Sequence, residues 1–180
     1  MTASASDTLE SMNAYVSDIV GKAVTGTFDT MFGREIAHTD TAADMAAHAG
    51  AAQPPAGEIS SHVSLTQGAA LNVDFSFHFD AEFLHRIAEE TYPEQARKIP
   101  MQMICEDMAC AIANVVGSRV KAFLNGRGYD LSMDIPAVGL LDAARDASRE
   151  ERSALAFRCV PDGQDNALRV NIHLQEKRAG

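Results

Sequence analysis

Between Met101 and Asn125 the apolar residues return at steps of three and four. Placed at 100° per residue, Met101, Ile104, Cys105, Met108, Ile112, Val115, Val116, Val120 and Phe123 share one broad face, which predicts a long amphipathic helix with that face in the core. The opposite side carries Asp107, Cys110, Ala111, Asn114, Ser118 and Lys121, a flat, small and shallowly polar surface. A seven-residue separation puts Asp107 nearly in line with Asn114, about 10 Å away along the axis. Asn125-Gly126-Arg127-Gly128 supplies a helix stop, and Tyr129 to Ile135 alternates as a strand does.

The same reading gives the rest of the chain. An apolar period runs from Leu9 to Phe32 and ends near Gly33, with Gly21 and Gly26 marking close packing or a bend. Ile59–Leu65 and Leu71–Phe77 form a hairpin whose second strand turns Leu71, Val73, Phe75, Phe77 and Phe79 to one side. Asn72, Asp74, Ser76 and His78 go to the other, so one face of the sheet is expected to be wet. Asp80 caps a helix that Tyr92-Pro93 breaks. A second hairpin pairs Leu155–Cys159 with Leu168–Leu174 across Pro161-Asp162-Gly163, and Leu141–Arg152 is a loop or a short exposed helix. The first ten residues read as disordered, and residues 38–56, alanine-rich and ending near Pro54-Pro55, as a long surface connection. These elements make residues 11–177 one α+β domain, an antiparallel sheet with helices packed on one face.

Composition narrows the function. With 180 residues and 46% hydrophobic content, the chain can bury one substantial core. A net charge of −10 excludes nucleic acid and anionic membrane surfaces as general partners. A charged, polar amino terminus and the lack of any window near 18 apolar residues predict a cytoplasmic protein. Cys105, Cys110 and Cys159 lack metal-ligand spacing and read as reduced thiols. The six histidines are scattered; His62 and His78 are possible cross-strand neighbours, better read as surface residues than as a metal site. There is no glycine-rich phosphate loop, nucleophile elbow or HExxH.

The long helix with its Gly128-Tyr129-Asp130 continuation and the Ile135-Pro136-Ala137-Val138 exit resembles the CheC/CheX family of bacterial chemotaxis proteins, its CheX branch in particular. Tyr15 to Gly33 is similar to the family's first helix, and Ile59–Leu65 with Leu71–Phe77 to its central hairpin, so the likeness runs from about residue 12 to 175. In CheX-like proteins the active helix bears a glutamate followed three residues later by an asparagine, often with an acidic or hydroxyl residue four positions before the glutamate. Aligned on Lys121 and Gly128, these positions are Asp107, Ala111 and Asn114: the asparagine is present and the glutamate is not.

The resemblance implies hydrolysis of the aspartyl-phosphate of a CheY-type response regulator that brings its own magnesium, so no cofactor is expected of this chain. It also implies a homodimer formed through the sheet. Asn114 would orient the attacking water, and Asp107, Ala111, Ser118 and, less directly, Glu106 would contact the partner. A displaced carboxylate at Asp107 or Glu106 could dock the regulator in the glutamate's stead. The competing expectation is a docking protein that has lost phosphatase activity. Taken alone, an asparagine on an exposed helix face is ordinarily just solvated. A second Glu-x-x-Asn, Glu10-Ser11-Met12-Asn13, precedes the first helix's apolar stripe and reads as coincidence.

Overall fold

The structure, a computed structural model, describes residues 5–39, 57–68, 71–139, 150–160 and 164–176. Helix α1 spans Ala5–Phe32 and strand β1 Ile36–Thr39; β2 (Glu58–Gln67) and β3 (Leu71–Asp80) form the central hairpin. Helices α2 (Ala81–Thr91), α3 (Pro93–Ala96) and α4 (Met101–Asn125) follow. The short strands β4 (Ser132–Met133) and β5 (Ala137–Val138) and the long strands β6 (Glu150–Cys159) and β7 (Gln164–Glu176) complete one mixed-length antiparallel sheet. Its order is β1-β6-β7-β3-β2-β4, with β5 also on β2.

The alternation in β3 explains the core. Val73, Phe75, Phe77 and Phe79 are fully buried on one side of the sheet, where Val16, Val20, Val24 and Phe28 of α1 and Ile112, Val116 and Val120 of α4 meet them. Each such side chain contributes about 1.5–3 kcal/mol by leaving water. Asp80 caps α2 as its position predicts, accepting from the Phe83 amide at 2.8 Å. Pro93 does end that helix, and one turn, α3, intervenes before α4.

Several boundaries differ from the sequence reading, each for a physical reason. Helix α1 begins at Ala5, inside the stretch expected to be disordered; once a packed helix exists, extension needs only one hydrogen bond per added residue. Residues 1–4 lie outside the described residues. β1 takes His38 and Thr39 out of the predicted connection by pairing with Phe157 and Ala156 of β6; residues 40–56 lie outside the described residues. β6 starts at Glu150, so the end of the predicted 141–152 loop is strand; residues 140–149, and the turn at 161–163, are outside the described residues. Gly26 marks close packing, since a Cβ there would stand 3.0 Å from the Arg119 guanidinium, whereas Gly21 faces open space.

The far face of the sheet is less wet than the alternation suggests. Asn72 and Asp74 are 8% and 3% exposed. The Asp74 carboxylate accepts from Ser64 Oγ and, at 2.6 Å, from Asn72 Nδ2, and these bonds make its burial tolerable. His62 and His78 are diagonal rather than facing, because Ser60 pairs with His78 and His62 with Ser76. His78 Nδ1 is 3.1 Å from Ser60 Oγ, and His62 Nδ1 is 3.3 Å from the Gly139 carbonyl. Among the described residues no group of three His, Cys, Asp or Glu could hold a metal ion.

Candidate functional site

Helix α4 lies over β2. Ser61 Oγ donates to the Ala109 carbonyl at 3.0 Å, and at Gly117 an added Cβ would stand 3.2 Å from a Val63 methyl. Ile104, Cys105, Met108, Ala109, Ile112, Ala113, Val116, Gly117, Val120 and Leu124 are the buried residues. Small side chains at 109, 113 and 117 let the helix approach the sheet closely. Phe123, predicted to be core, is 48% exposed: its ring sits beside Tyr15, and the Arg127 guanidinium lies 5.5 Å from the Tyr15 ring centre and 5.7 Å from that of Phe123. A cation over two aromatic faces shields a ring that the helix end no longer presses onto the sheet.

The rotation of α4 leaves Asp107, Ala111, Asn114 and Ser118 exposed along one line, with Cys110 and Lys121 half-buried beside them. The structure thus brings together four of the five predicted residues. Glu106 differs: it lies about 100° around the helix from Asp107, half-buried, with its carboxylate accepting from Gln102 Nε2 at 2.7 Å. Asn114 is exposed and has no hydrogen-bond partner among the described residues. Ala111 offers only a methyl group. Burial first, then the carboxylates of Asp107 and Glu106, push the Cys110 thiol above its ordinary value, which keeps it protonated and uncharged.

Beside this line runs a feature that the periodicity did not reveal. Tyr129–Ile135, expected to be a strand, pairs with β2 only at Ser132 and Met133. Upstream, the Asn125 side chain claims the Leu131 backbone, accepting from its amide at 2.9 Å and donating to its carbonyl at 3.2 Å. Downstream, Pro136 has no amide to offer a ladder. Met133 packs against Gly117 and Ser118, while Val138 pairs with Ser61, whose hydroxyl reaches Ala109. The β4–β5 edge therefore runs antiparallel to α4, from the level of Gly117–Ser118 toward that of Ala109. Ile135 and Val138, 91% and 47% exposed, stand on that edge; the Ile-Pro pair was the one sequence signal for it.

The other Glu-x-x-Asn is not comparable: Asn13 is 9% exposed and its Oδ1 accepts from Ser153 Oγ at 3.0 Å, a structural bond across to β6. A cleft of about 380 Å³ lies elsewhere, lined by Ser17, Gly21, Thr25, His38 and Leu155 among others, with no α4 residue in it. The α4 line is a row of exposed small and polar side chains, which suits a macromolecular partner better than a small enclosed substrate. No helix among the described residues is long and apolar enough to cross a membrane.

No family model and no curated protein matches the chain. Solved structures do. CheX of Vibrio vulnificus is 17% identical with a TM-score of 0.66, covering 89% of this chain and 96% of its own. A chemotactic CheC-like protein of Shewanella oneidensis is 14% identical with a TM-score of 0.64, covering 91% and 99%. The CheX of a CheX–CheY–BeF3–magnesium complex from Borrelia burgdorferi is 13% identical with a TM-score of 0.61, covering 89% and 98%. Over nearly their whole lengths, then, with α4 packed on an antiparallel sheet, the chain has the fold of CheX and the CheC-like chemotaxis proteins.

Proposed function

We propose that the chain is a CheX-like chemotaxis protein that binds a phosphorylated CheY-type receiver domain through the Asp107/Ala111/Asn114/Ser118 line and hydrolyses its aspartyl-phosphate. The observation that carries this reading is the exposed carboxamide of Asn114 on the exposed line of α4, without a hydrogen-bond partner among the described residues, in a fold shared with a CheX solved in complex with CheY. Phosphoryl transfer asks little covalent chemistry of a protein: it rests on positioning and charge stabilisation. A carboxamide inserted beside the phosphoryl group can accept a hydrogen bond from the attacking water and hold it in line. Magnesium belongs to the receiver in this reading, and the chain supplies no metal ligand. Asp107, one turn before Ala111, is the carboxylate available to meet a cationic side chain of the receiver.

The absence of a carboxylate at Ala111 favours a second reading, a docking protein of the same fold without turnover. One assay separates them. Release of phosphate from a phosphorylated CheY-type receiver of the same cell should be accelerated by the wild-type chain, and Asn114→Ala should lower that acceleration about 100-fold while binding survives. Unchanged turnover in Asn114→Ala would refute the catalytic role. Binding without any acceleration, with activity appearing in Ala111→Glu, would establish the docking protein.

A further inference from the structure

Asn114 sits midway between two charges of opposite sign. Asp107 stands seven residues before it on α4 and Lys121 seven after it, each within about 20° of its direction around the helix and about 10 Å away along the axis. The exposed residues of the line between them, Ala111, Asn114 and Ser118, are uncharged. The carboxylate end has a role in the functional reading; the ammonium end has none yet. The other basic side chains of this helix and its end are engaged within the chain: Arg119 donates to Thr30 Oγ1 of α1 at 3.3 Å, and Arg127 lies over the Tyr15 and Phe123 rings. Lys121 makes no hydrogen bond or ion pair among the described residues, although Asp and Glu outnumber Lys and Arg 25 to 15 in the sequence. It is half-buried, as a lysine is when its stem lies along the surface and its charged tip reaches water. A helical side chain leans toward the amino end of its helix, so the four-carbon stem of Lys121 can carry the ammonium back across Ser118, to about 5 Å from the level of Asn114.

We infer that Lys121 is the residue through which this chain distinguishes a phosphorylated receiver domain from an unphosphorylated one, its ammonium pairing with the phosphoryl oxygens that Asn114 approaches. This rests on the functional reading above and deepens it by naming the source of its specificity. Phosphorylation adds roughly two negative charges and three strong acceptor oxygens, whereas the carboxylates that hold the receiver's magnesium are present in both states. A side chain that senses the difference is a cation close to the phosphoryl position. Along α4, Asp107 and Glu106 are anions and Arg119 points about 140° away from Asn114, toward α1; Lys121 is the cation in line with Asn114. Asp130 and Asp134, exposed on the segment after the helix, are anionic too. The net charge of −10 opposes a phosphorylated partner at long range, but salt screens that repulsion, while a short ammonium–phosphoryl hydrogen bond is screened far less. The polarity of the line also sets the receiver's orientation, with its cationic side toward Asp107 and its phosphoryl group toward Lys121.

The test is calorimetric titration with a CheY-type receiver of the same cell, in magnesium with and without beryllium fluoride, which stands in for the phosphoryl group, using wild type, Lys121→Gln and Lys121→Arg. Lys121→Gln keeps much of the stem and removes the charge, and circular dichroism checks that each variant is folded. The inference expects Lys121→Gln to bind the beryllium fluoride form about tenfold more weakly and the free form as wild type does, with Lys121→Arg restoring the preference. Salt should weaken wild type more steeply than Lys121→Gln, which the loss of a merely packed stem would not produce. An equal loss in both receiver states would assign Lys121 to a fixed anion of the receiver and overturn the inference, as would undiminished binding of Lys121→Gln to the beryllium fluoride form; both leave the functional reading standing. Where the free form binds neither chain, the salt dependence decides: a steeper fall in wild type supports the contact, and parallel falls overturn it. Wild type that binds no receiver in either state would overturn the functional reading, and the inference with it.

Discussion

Single side chains on α4 show how environment sets chemistry. Burial and the adjacent Glu106 carboxylate push the Cys105 thiol up to about 11, and Cys110, nearer the surface, is raised for the same kind of reason with Asp107 as the larger charge. A raised value means the neutral thiol is retained as pH rises past the ordinary thiol range, so neither cysteine presents much thiolate near neutrality. Alkylation of Cys110 by iodoacetamide in the folded protein should accordingly be slower than that of a small free thiol at the same pH. Asp107→Asn should speed it by removing one anion, an outcome read by mass spectrometry of the modified peptide. An unchanged rate would mean that burial and Glu106, not Asp107, control the thiol. The experiment also reports whether the line containing Asn114 is electrostatically influenced by Asp107, the group proposed to meet the receiver's cation.

At the scale of elements, glycines distinguish free helix surface from helix–sheet contact. Gly21 lies in α1 with nothing within 4 Å of an added Cβ, so Gly21→Ala should stabilise the protein by about 0.5–1 kcal/mol through helix propensity alone. Gly117 lies where α4 meets the sheet: a Cβ would stand 3.0 Å from Met133 Sδ and 3.2 Å from Val63 Cγ1. The Met133 thioether can swing aside, but Val63 is a buried strand residue and cannot. Gly117→Val should therefore destabilise by about 1–3 kcal/mol. It should also disturb β4, whose Met133 lies against Gly117. Urea denaturation of the two variants gives opposite signs if this assignment of contacts is right, and a stabilised Gly117→Val would refute it.

Across the whole molecule, stability should be graded from the sheet's centre to its edges. β3 has partners on both sides, β2 and β7, over nearly its full length, and its Phe75, Phe77 and Phe79 are fully buried. β1 has four residues and only β6 beside it, while β5 pairs with β2 at two positions. Local opening exposes little apolar surface at these edges and a great deal at the centre. Native-state hydrogen exchange should find the slowest amides in β3, at Phe75 and Phe77, and much faster exchange at Ala37 and Ala137. Equal protection at edge and centre would contradict this ordering.

The part of this protein legible in its sequence is what periodicity encodes: which side of each long element is apolar. That sufficed for α1 and α4, for the β2–β3 and β6–β7 hairpins, for the Asp80 cap, and for the exposure of Asp107, Ala111, Asn114 and Ser118, because an element of twenty-five or ten residues repeats its signal several times. Tertiary structure alone decided the rest. β1 and β5 are too short to carry a period and exist because β6 and β2 offer them backbone partners, and of the predicted Tyr129–Ile135 strand only Ser132 and Met133 pair with β2. Phe123 leaves the core through the Arg127 and Tyr15 contacts, and Asp74 enters the sheet because Ser64 and Asn72, on two different strands' positions, satisfy its oxygens. The meeting of Met133 with Gly117 belongs to the same class: the two are sixteen positions apart by residue number, and only the joint packing of α4 and β4 on β2 makes them neighbours. Local chemistry sets the faces of an element, whereas neighbours across a fold are set by how the elements compete for one another's hydrogen bonds and apolar surface.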